Sequence, residues 1–191
     1  MIELREILYG LFGAYRLCRL DPQGLAYFNA SHAGFWRSFV AAAIAAPAYF
    51  LIVLFELGRT PVEASFERIV AIEALAYVIL VFAYPLAMFY ISRAIDRERH
   101  YMLYIVGYNW LTVPLALLEL PAAALSAAEV IPAAAASVVE LVVTLVTLVL
   151  LWFVARTALQ ISPLLAAALV AIDVTLTFMV RSLTEGRLGV G

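Results

Sequence analysis

Four carboxylates stand inside long apolar stretches of this 191-residue chain: Glu73, Glu119, Glu140 and Asp173. A charge at depth in hydrocarbon costs about 2.5–3.5 kcal/mol on insertion scales. Such groups therefore face protein or water, and they often mark the path of a proton or a cation. The chemistry that these residues could perform is reversible binding of a proton or a cation.

Estimated depths place the four acids in one layer. At 1.5 Å rise per residue they lie about 6 Å (Glu73), 9 Å (Glu119), 13 Å (Glu140) and 10 Å (Asp173) from the outer ends of their helices. Asn109 precedes Glu119 on the same predicted helical face. The candidate site is therefore Glu73, Glu119, Glu140, Asp173 and Asn109.

A purely structural role is the alternative for the same residues. Glu73 and Glu119 could pair with Arg68 and Arg181 at the rim of the layer. Glu140 and Asp173 could hydrogen-bond neighbouring helices, where such bonds contribute about 0.6 kcal/mol each on average. Equal depth is required for a shared site, but it does not show that the side chains meet.

The composition places these acids in a membrane. The chain is 66% hydrophobic and 14% charged, with a mean hydropathy of +1.01, whereas soluble domains are about 25% charged. We predict an all-α, polytopic helical bundle with five transmembrane helices. The predicted spans within a domain of residues 36–182 are 39–57, 69–92, 101–125, 132–155 and 163–180.

The two ends of the chain differ from the spans. Apolar residues recur at helical spacing from Leu4 to Cys18 between charged turns, which predicts an amphipathic helix at the membrane interface within segment 1–35. A helix packed against the end of the bundle is an equal alternative. Residues 183–191 are predicted to be a short tail. Cys18 is the single cysteine, which excludes an intramolecular disulfide and a cysteine-based metal site.

The arginines predict the orientation. With the N-terminus inside, eight arginines fall on the cytoplasmic side and four outside, as expected for cytoplasmic loops. The inner set is Arg5, Arg16, Arg19, Arg37, Arg93, Arg97, Arg99 and Arg156, and the outer set is Arg59, Arg68, Arg181 and Arg187. Lysine is absent, which is typical of GC-rich bacterial genomes, so we predict the bacterial inner membrane with the C-terminus periplasmic.

One end of the third span suggests lipid contacts. Arg93, Arg97 and Arg99 form a basic loop beside Trp110, and these four residues are predicted to contact headgroups. The chain has no HExxH, paired cysteines, GxSxG, P-loop or dinucleotide motif. We therefore predict neither enzyme activity, nor a metal site, nor a cofactor. The lack of a basic run argues against nucleic acid as a partner.

Two stretches carry a family resemblance. They are YPLAMFYISRAIDRERHYMLYIVGYNWLTVP at 84–114 and LWFVARTALQISPLLAAALVAIDV at 151–174. Their charged loop, G-Y…P stretch and Ala-rich last span resemble the Yip1-like family of five-span membrane proteins. The resemblance implies a non-enzymatic role in membrane organisation or partner binding, and it carries over no site residues.

The leading functional expectation is a scaffold or accessory subunit that binds lipids, other membrane subunits or copies of itself. The short loops, the missing catalytic motifs and the small-residue runs 41–46 and 132–137 favour it. The alternative is a cation- or proton-coupled transporter or channel that uses the intramembrane carboxylates.

Overall fold

The computed structural model describes residues 3–58 and 64–188, which are helical apart from short connections and contain no strand. Arg59 and Pro61, in the first predicted loop, lie outside the described residues. A short 3₁₀ helix, Pro22–Tyr27, follows the first α-helix. The α-helices are α1 (Leu4–Cys18), α2 (His32–Ser38), α3 (Val40–Leu57), α4 (Phe66–Ala94), α5 (Glu98–Ala127), α6 (Ala133–Leu159) and α7 (Pro163–Leu188).

Five helical segments of the described chain are long and apolar enough to cross a membrane: α2 with α3, then α4, α5, α6 and α7. The predicted all-α class and the five spans are thereby confirmed. Pro47, Pro85, Pro114 and Pro121 all lie inside these helices. The largest difference concerns the predicted tail, because α7 continues through it as far as Leu188.

The third span, α5, is the centre of the bundle. It packs most closely against α3 and α6 and also contacts α1, α2 and α4, while α7 packs against α4 and α6. The backbones of α3 and α4 are not closely packed. Tyr77 bridges these two helices by donating from Oη to the Ala42 carbonyl at 2.5 Å, and the Phe39 ring stacks on Phe82 with centroids 5.0 Å apart.

We call the two ends of the bundle the N-terminal side and the far side. The N-terminal side carries the α4–α5 and α6–α7 connections, and the far side carries the α5–α6 connection, the ends of α3 and α7 and the start of α4. The contiguous apolar core lies toward the N-terminal side. Its fully buried members there include Leu17, Met88, Ile105, Leu111, Leu159 and Leu169.

Two glycines let α1 pack closely on the bundle. A Cβ on Gly10 would overlap the indole of Trp110, and a Cβ on Gly13 would come within 2.7 Å of the Phe28 ring. These positions therefore require the smallest residue. The opposite face of α1 exposes Leu4, Leu8, Phe12 and Tyr15.

Candidate intramembrane polar site

Glu73 is buried between α3 and α4. Only 4% of the residue is exposed, and Tyr49 on α3 donates a hydrogen bond from Oη to its carboxylate at 3.0 Å. The guanidinium of Arg181 lies 5.5 Å from the centre of the Tyr49 ring. Glu73 and Arg181 also line the same cavity of about 370 Å³. This acid is thus held by a hydroxyl with a cation nearby.

Arg181, which the sequence placed at the rim, is the central charge of the far side. Its Nη1 forms an ion pair with Glu56 at 3.1 Å. A second cavity, of about 350 Å³, is lined by Arg181 together with Glu56, Glu119 and Glu140. Arg181 therefore has Glu73 on one side and two other predicted acids on the other.

Glu119 and Glu140 take different partners across the α5–α6 contact. Thr147 on α6 donates from Oγ1 to Glu119 at 3.5 Å, which is at the long limit for a hydrogen bond. Ser126 on α5 donates from Oγ to Glu140 at 2.5 Å. The two carboxylates share a cavity, but each is bonded to a separate hydroxyl.

Asp173 lies in another layer, in a tyrosine network. Tyr108 donates from Oη toward both carboxylate oxygens at 3.1 Å, and the hydroxyls of Tyr84 and Tyr104 are 2.6 Å apart beside it. Tyr108 precedes Glu119 by eleven residues on α5, or about 16 Å along the helix. The prediction that all four acids share one layer is wrong for Asp173.

Asn109 is not bonded to any of the predicted acids, although it lines the same central cavity as Glu119. It is 5% exposed, and its Nδ2 donates to Ser38 Oγ at 2.8 Å. The Ser38 hydroxyl in turn donates to the Phe35 carbonyl at 2.7 Å. The structure thus brings Glu73, Glu119 and Glu140 around Arg181, and it leaves Asp173 and Asn109 in bonded pairs nearer the N-terminal side.

Of the four residues predicted to contact headgroups, two are exposed, one is partly buried and one is buried. Arg93 and Arg99 are exposed, with the Arg93 guanidinium 4.2 Å from the Phe89 ring centre. Arg97 donates from Nη1 to the Asp96 carbonyl at 3.1 Å, while its Nε is buried without a hydrogen-bond partner among the described residues. Trp110 is 3% exposed, because Gly10 of α1 covers it. Its place in a headgroup layer is therefore not supported.

Sequence reasoning named Arg181 as a possible partner of Glu73 or Glu119, but it missed Glu56, with which Arg181 forms its ion pair. Both stand at the ends of predicted spans, where charges are ordinarily assigned to the aqueous rim. The sequence did contain a signal for this pair, because the predicted spans that end near Glu56 and Arg181 both end on the same side of the membrane. The tyrosines that donate hydrogen bonds to Glu73 and Asp173 could not be recognised in the sequence, because tyrosine is also enriched at the membrane interface.

The arrangement can hold helices together and can offer negative charge to a cavity. Among the described residues, no group of three or more His, Cys, Asp or Glu side chains is placed to hold a metal ion. No protein-family model matches the chain, and no curated protein or solved structure matches it.

Proposed function

We propose that this integral membrane protein has a non-enzymatic role in the bacterial inner membrane, as an organising scaffold or an accessory subunit. The observation that carries the proposal is that the intramembrane acids are hydrogen-bonded to neighbouring helices. Each of Glu73, Glu119, Glu140 and Asp173 accepts a hydrogen bond from a hydroxyl on a neighbouring helix. Acids used in this way hold a bundle together and need not conduct ions.

Helix α1 carries an exposed apolar face that is available for contact with lipid or protein. One of its faces docks on α5 through small residues, while the other exposes Leu4, Leu8, Phe12 and Tyr15. Arg5 lies over the ring of Tyr9, 5.5 Å from its centre, beside that exposed face. An apolar face flanked by arginines suits the interfacial region of an anionic membrane, with the N-terminus cytoplasmic and the C-terminus periplasmic.

The resemblance to the Yip1-like family belongs to the same proposal. It rests on the two stretches 84–114 and 151–174 of the sequence. Its consequence is that lipids, other membrane subunits or further copies of this chain are the partners, and nucleic acid is not.

A photo-cross-linking experiment in cells tests the contact role. A photoreactive phenylalanine analogue replaces Leu8 on the exposed face of α1, and Leu17 on its buried face is the matched control. We expect adducts with lipid or protein from position 8 and intramolecular products alone from position 17. Equal patterns from the two positions would contradict a contact surface on α1.

Permeation is the second candidate function, and the cavities favour it. The cavity beside Glu73 shares Glu56 and Arg181 with the cavity beside Glu140, and Glu119 joins the latter to a third cavity deeper in the bundle. Such a series could admit a cation from the far side. Transport would require the acids to release their hydroxyl partners during each cycle.

Flux through proteoliposomes separates the two candidates. Proton and monovalent-cation fluxes are measured for the wild type, Glu140→Gln and Asp173→Asn, with Glu129→Gln in the α5–α6 connection as the control. We expect wild-type flux equal to that of empty liposomes. A gradient-driven flux that both span variants abolish and the control retains would replace the scaffold proposal by a transporter.

A further inference from the structure

A cavity of about 250 Å³ lies in the middle of the bundle between α3, α4 and α5. Half of its lining residues are aliphatic: alanine, leucine, isoleucine and valine. Drug-sized ligands occupy about 300–1,000 Å³, so this space fits a smaller molecule. Its remaining lining residues include Tyr49, Tyr77, Tyr108, Asn109, Thr112 and Glu119.

Glu119 gives the cavity its charge. It is the only charged residue among the described residues that line this space. Its hydrogen bond from Thr147 is long, at 3.5 Å, and Arg181 lines the neighbouring cavity and not this one. A carboxylate with one weak donor at such depth retains capacity for a cation.

The three tyrosines supply aromatic walls in fixed positions. Their hydroxyls already donate to Glu73, the Ala42 carbonyl and Asp173, respectively. What Tyr49, Tyr77 and Tyr108 can still offer a ligand is therefore mainly the ring. The Arg181 guanidinium already lies 5.5 Å from the centre of the Tyr49 ring, and Tyr108 is about 16 Å from Glu119 along α5. The rings are therefore placed to contact the organic groups of a ligand.

We propose that this cavity binds a small hydrophobic organic cation, a tertiary or quaternary ammonium with about ten to twelve heavy atoms. The ammonium lies against Glu119, and the organic groups contact the aliphatic side chains and the tyrosine rings farther along the cavity. The site does not depend on the scaffold proposal, since either a scaffold or a transporter could contain it.

Direct binding tests the site with the full chain in nanodiscs. Equilibrium dialysis compares benzyltrimethylammonium with neopentylbenzene, its uncharged counterpart of the same shape, and subtracts uptake by empty nanodiscs. We expect saturable binding of the cation, weakened about tenfold by Glu119→Gln, because the variant removes the negative charge that attracts the ammonium. Glu129→Gln is the matched control and retains wild-type affinity.

A second variant keeps the test decisive if Glu119→Gln does not fold. Ala116→Leu leaves Glu119 in place but fills the cavity that Ala116 lines, and we expect it to abolish binding. Thermal unfolding confirms the fold of each variant. Unchanged affinity in Glu119→Gln and Ala116→Leu, equal affinity for the uncharged compound, or binding no greater than that of empty nanodiscs would each overturn the site. None of these outcomes bears on the cross-linking test of α1.

Discussion

The two halves of the bundle differ in how they hold Asp173 and Glu119. Toward the N-terminal side, Asp173 is buried and accepts a hydrogen bond from Tyr108 at 3.1 Å. Toward the far side, Glu73 and Glu140 also have hydroxyl donors within 3.0 Å, but Glu119 lines two cavities and its hydrogen bond is long. The contrast between Asp173 and Glu119 lies in their surroundings and not in the carboxylate.

The comparison separates two uses of an intramembrane acid: holding helices together and remaining open to a ligand. Lipid chains are as apolar as leucine, so close packing and interhelical hydrogen bonds hold the N-terminal half together. The far half has cavities lined by charged residues, among them the partly exposed Arg181–Glu56 pair. The cavity beside Phe35 and Tyr101 in the N-terminal half is lined by apolar and aromatic side chains. An acid in the second setting can bind a ligand without disrupting the fold.

Substitution of Gly10 is expected to have the largest effect on the N-terminal half. Gly10→Leu forces a side chain into the Trp110 indole, and overpacking of this kind costs about 3 kcal/mol. Gly186→Leu is the matched control, because nothing lies within 4 Å of a Cβ at that position on α7. The free energy of unfolding is measured by steric trapping in bicelles. A similar loss in both variants would mean that α1 is not part of the packed half.

Removal of the Ser38 hydroxyl is expected to have an intermediate effect. Ser38→Ala takes away the acceptor of the buried Asn109 amide and should cost about 1–2 kcal/mol. Ser137→Ala is the control on the far side, where the hydroxyl donates to a carbonyl of its own helix and the residue is exposed. The same unfolding assay applies. Equal free energies of unfolding for Ser38→Ala and Ser137→Ala would mean that the two halves do not differ in what a buried hydroxyl contributes to stability.

Acidification should have the smallest effect, limited to the turn after α1. The Asp21 carboxylate accepts hydrogen bonds from the Gln23 backbone N–H at 2.9 Å and from Arg16 Nε at 2.6 Å. These donors lower the pKa of Asp21 from its ordinary 3.8. Because the folded state binds this proton less tightly, the contribution to stability is complete above about pH 4 and is lost as the pH falls through the lowered value.

Amide hydrogen exchange at Gln23 and Gly24 measures that turn directly. After correction for intrinsic rates, protection should fall below about pH 4 in the wild type and stay constant in Asp21→Asn. The exchange of α5 amides should not follow this change. A pH dependence that persists in Asp21→Asn would assign the effect to another group.

The five spans could be predicted because apolar runs of sufficient length leave few alternatives in lipid. Their ends could not, since charged residues continue a helix beyond the hydrocarbon. Because α7 was expected to end at residue 180 and ends at Leu188, the depth of Asp173 from the outer end was underestimated, and its level with Tyr108 was missed. The pairing of Arg181 with Glu56 was missed for the same reason.

Contacts between distant segments were also beyond the sequence. Trp110 has the composition of an interfacial aromatic, and only the approach of Gly10, one hundred residues earlier, shows that it is covered. Helical phase correctly placed Asn109 and Glu119 along one cavity wall. It could not show that Asn109 donates to Ser38, because rotation and register of α2 against α5 depend on side-chain packing.

The most direct test compares Asp173, which is closely hydrogen-bonded, with Glu119, whose hydrogen bond is long, by removing the hydroxyl donor of each. Tyr108→Phe takes the hydroxyl from Asp173, and Thr147→Val takes the hydroxyl from Glu119 with little change in shape. Steric trapping in bicelles should show a loss of about 1–2 kcal/mol for Tyr108→Phe and less than about 0.5 kcal/mol for Thr147→Val. Equal losses, or a larger loss for Thr147→Val, would contradict the account.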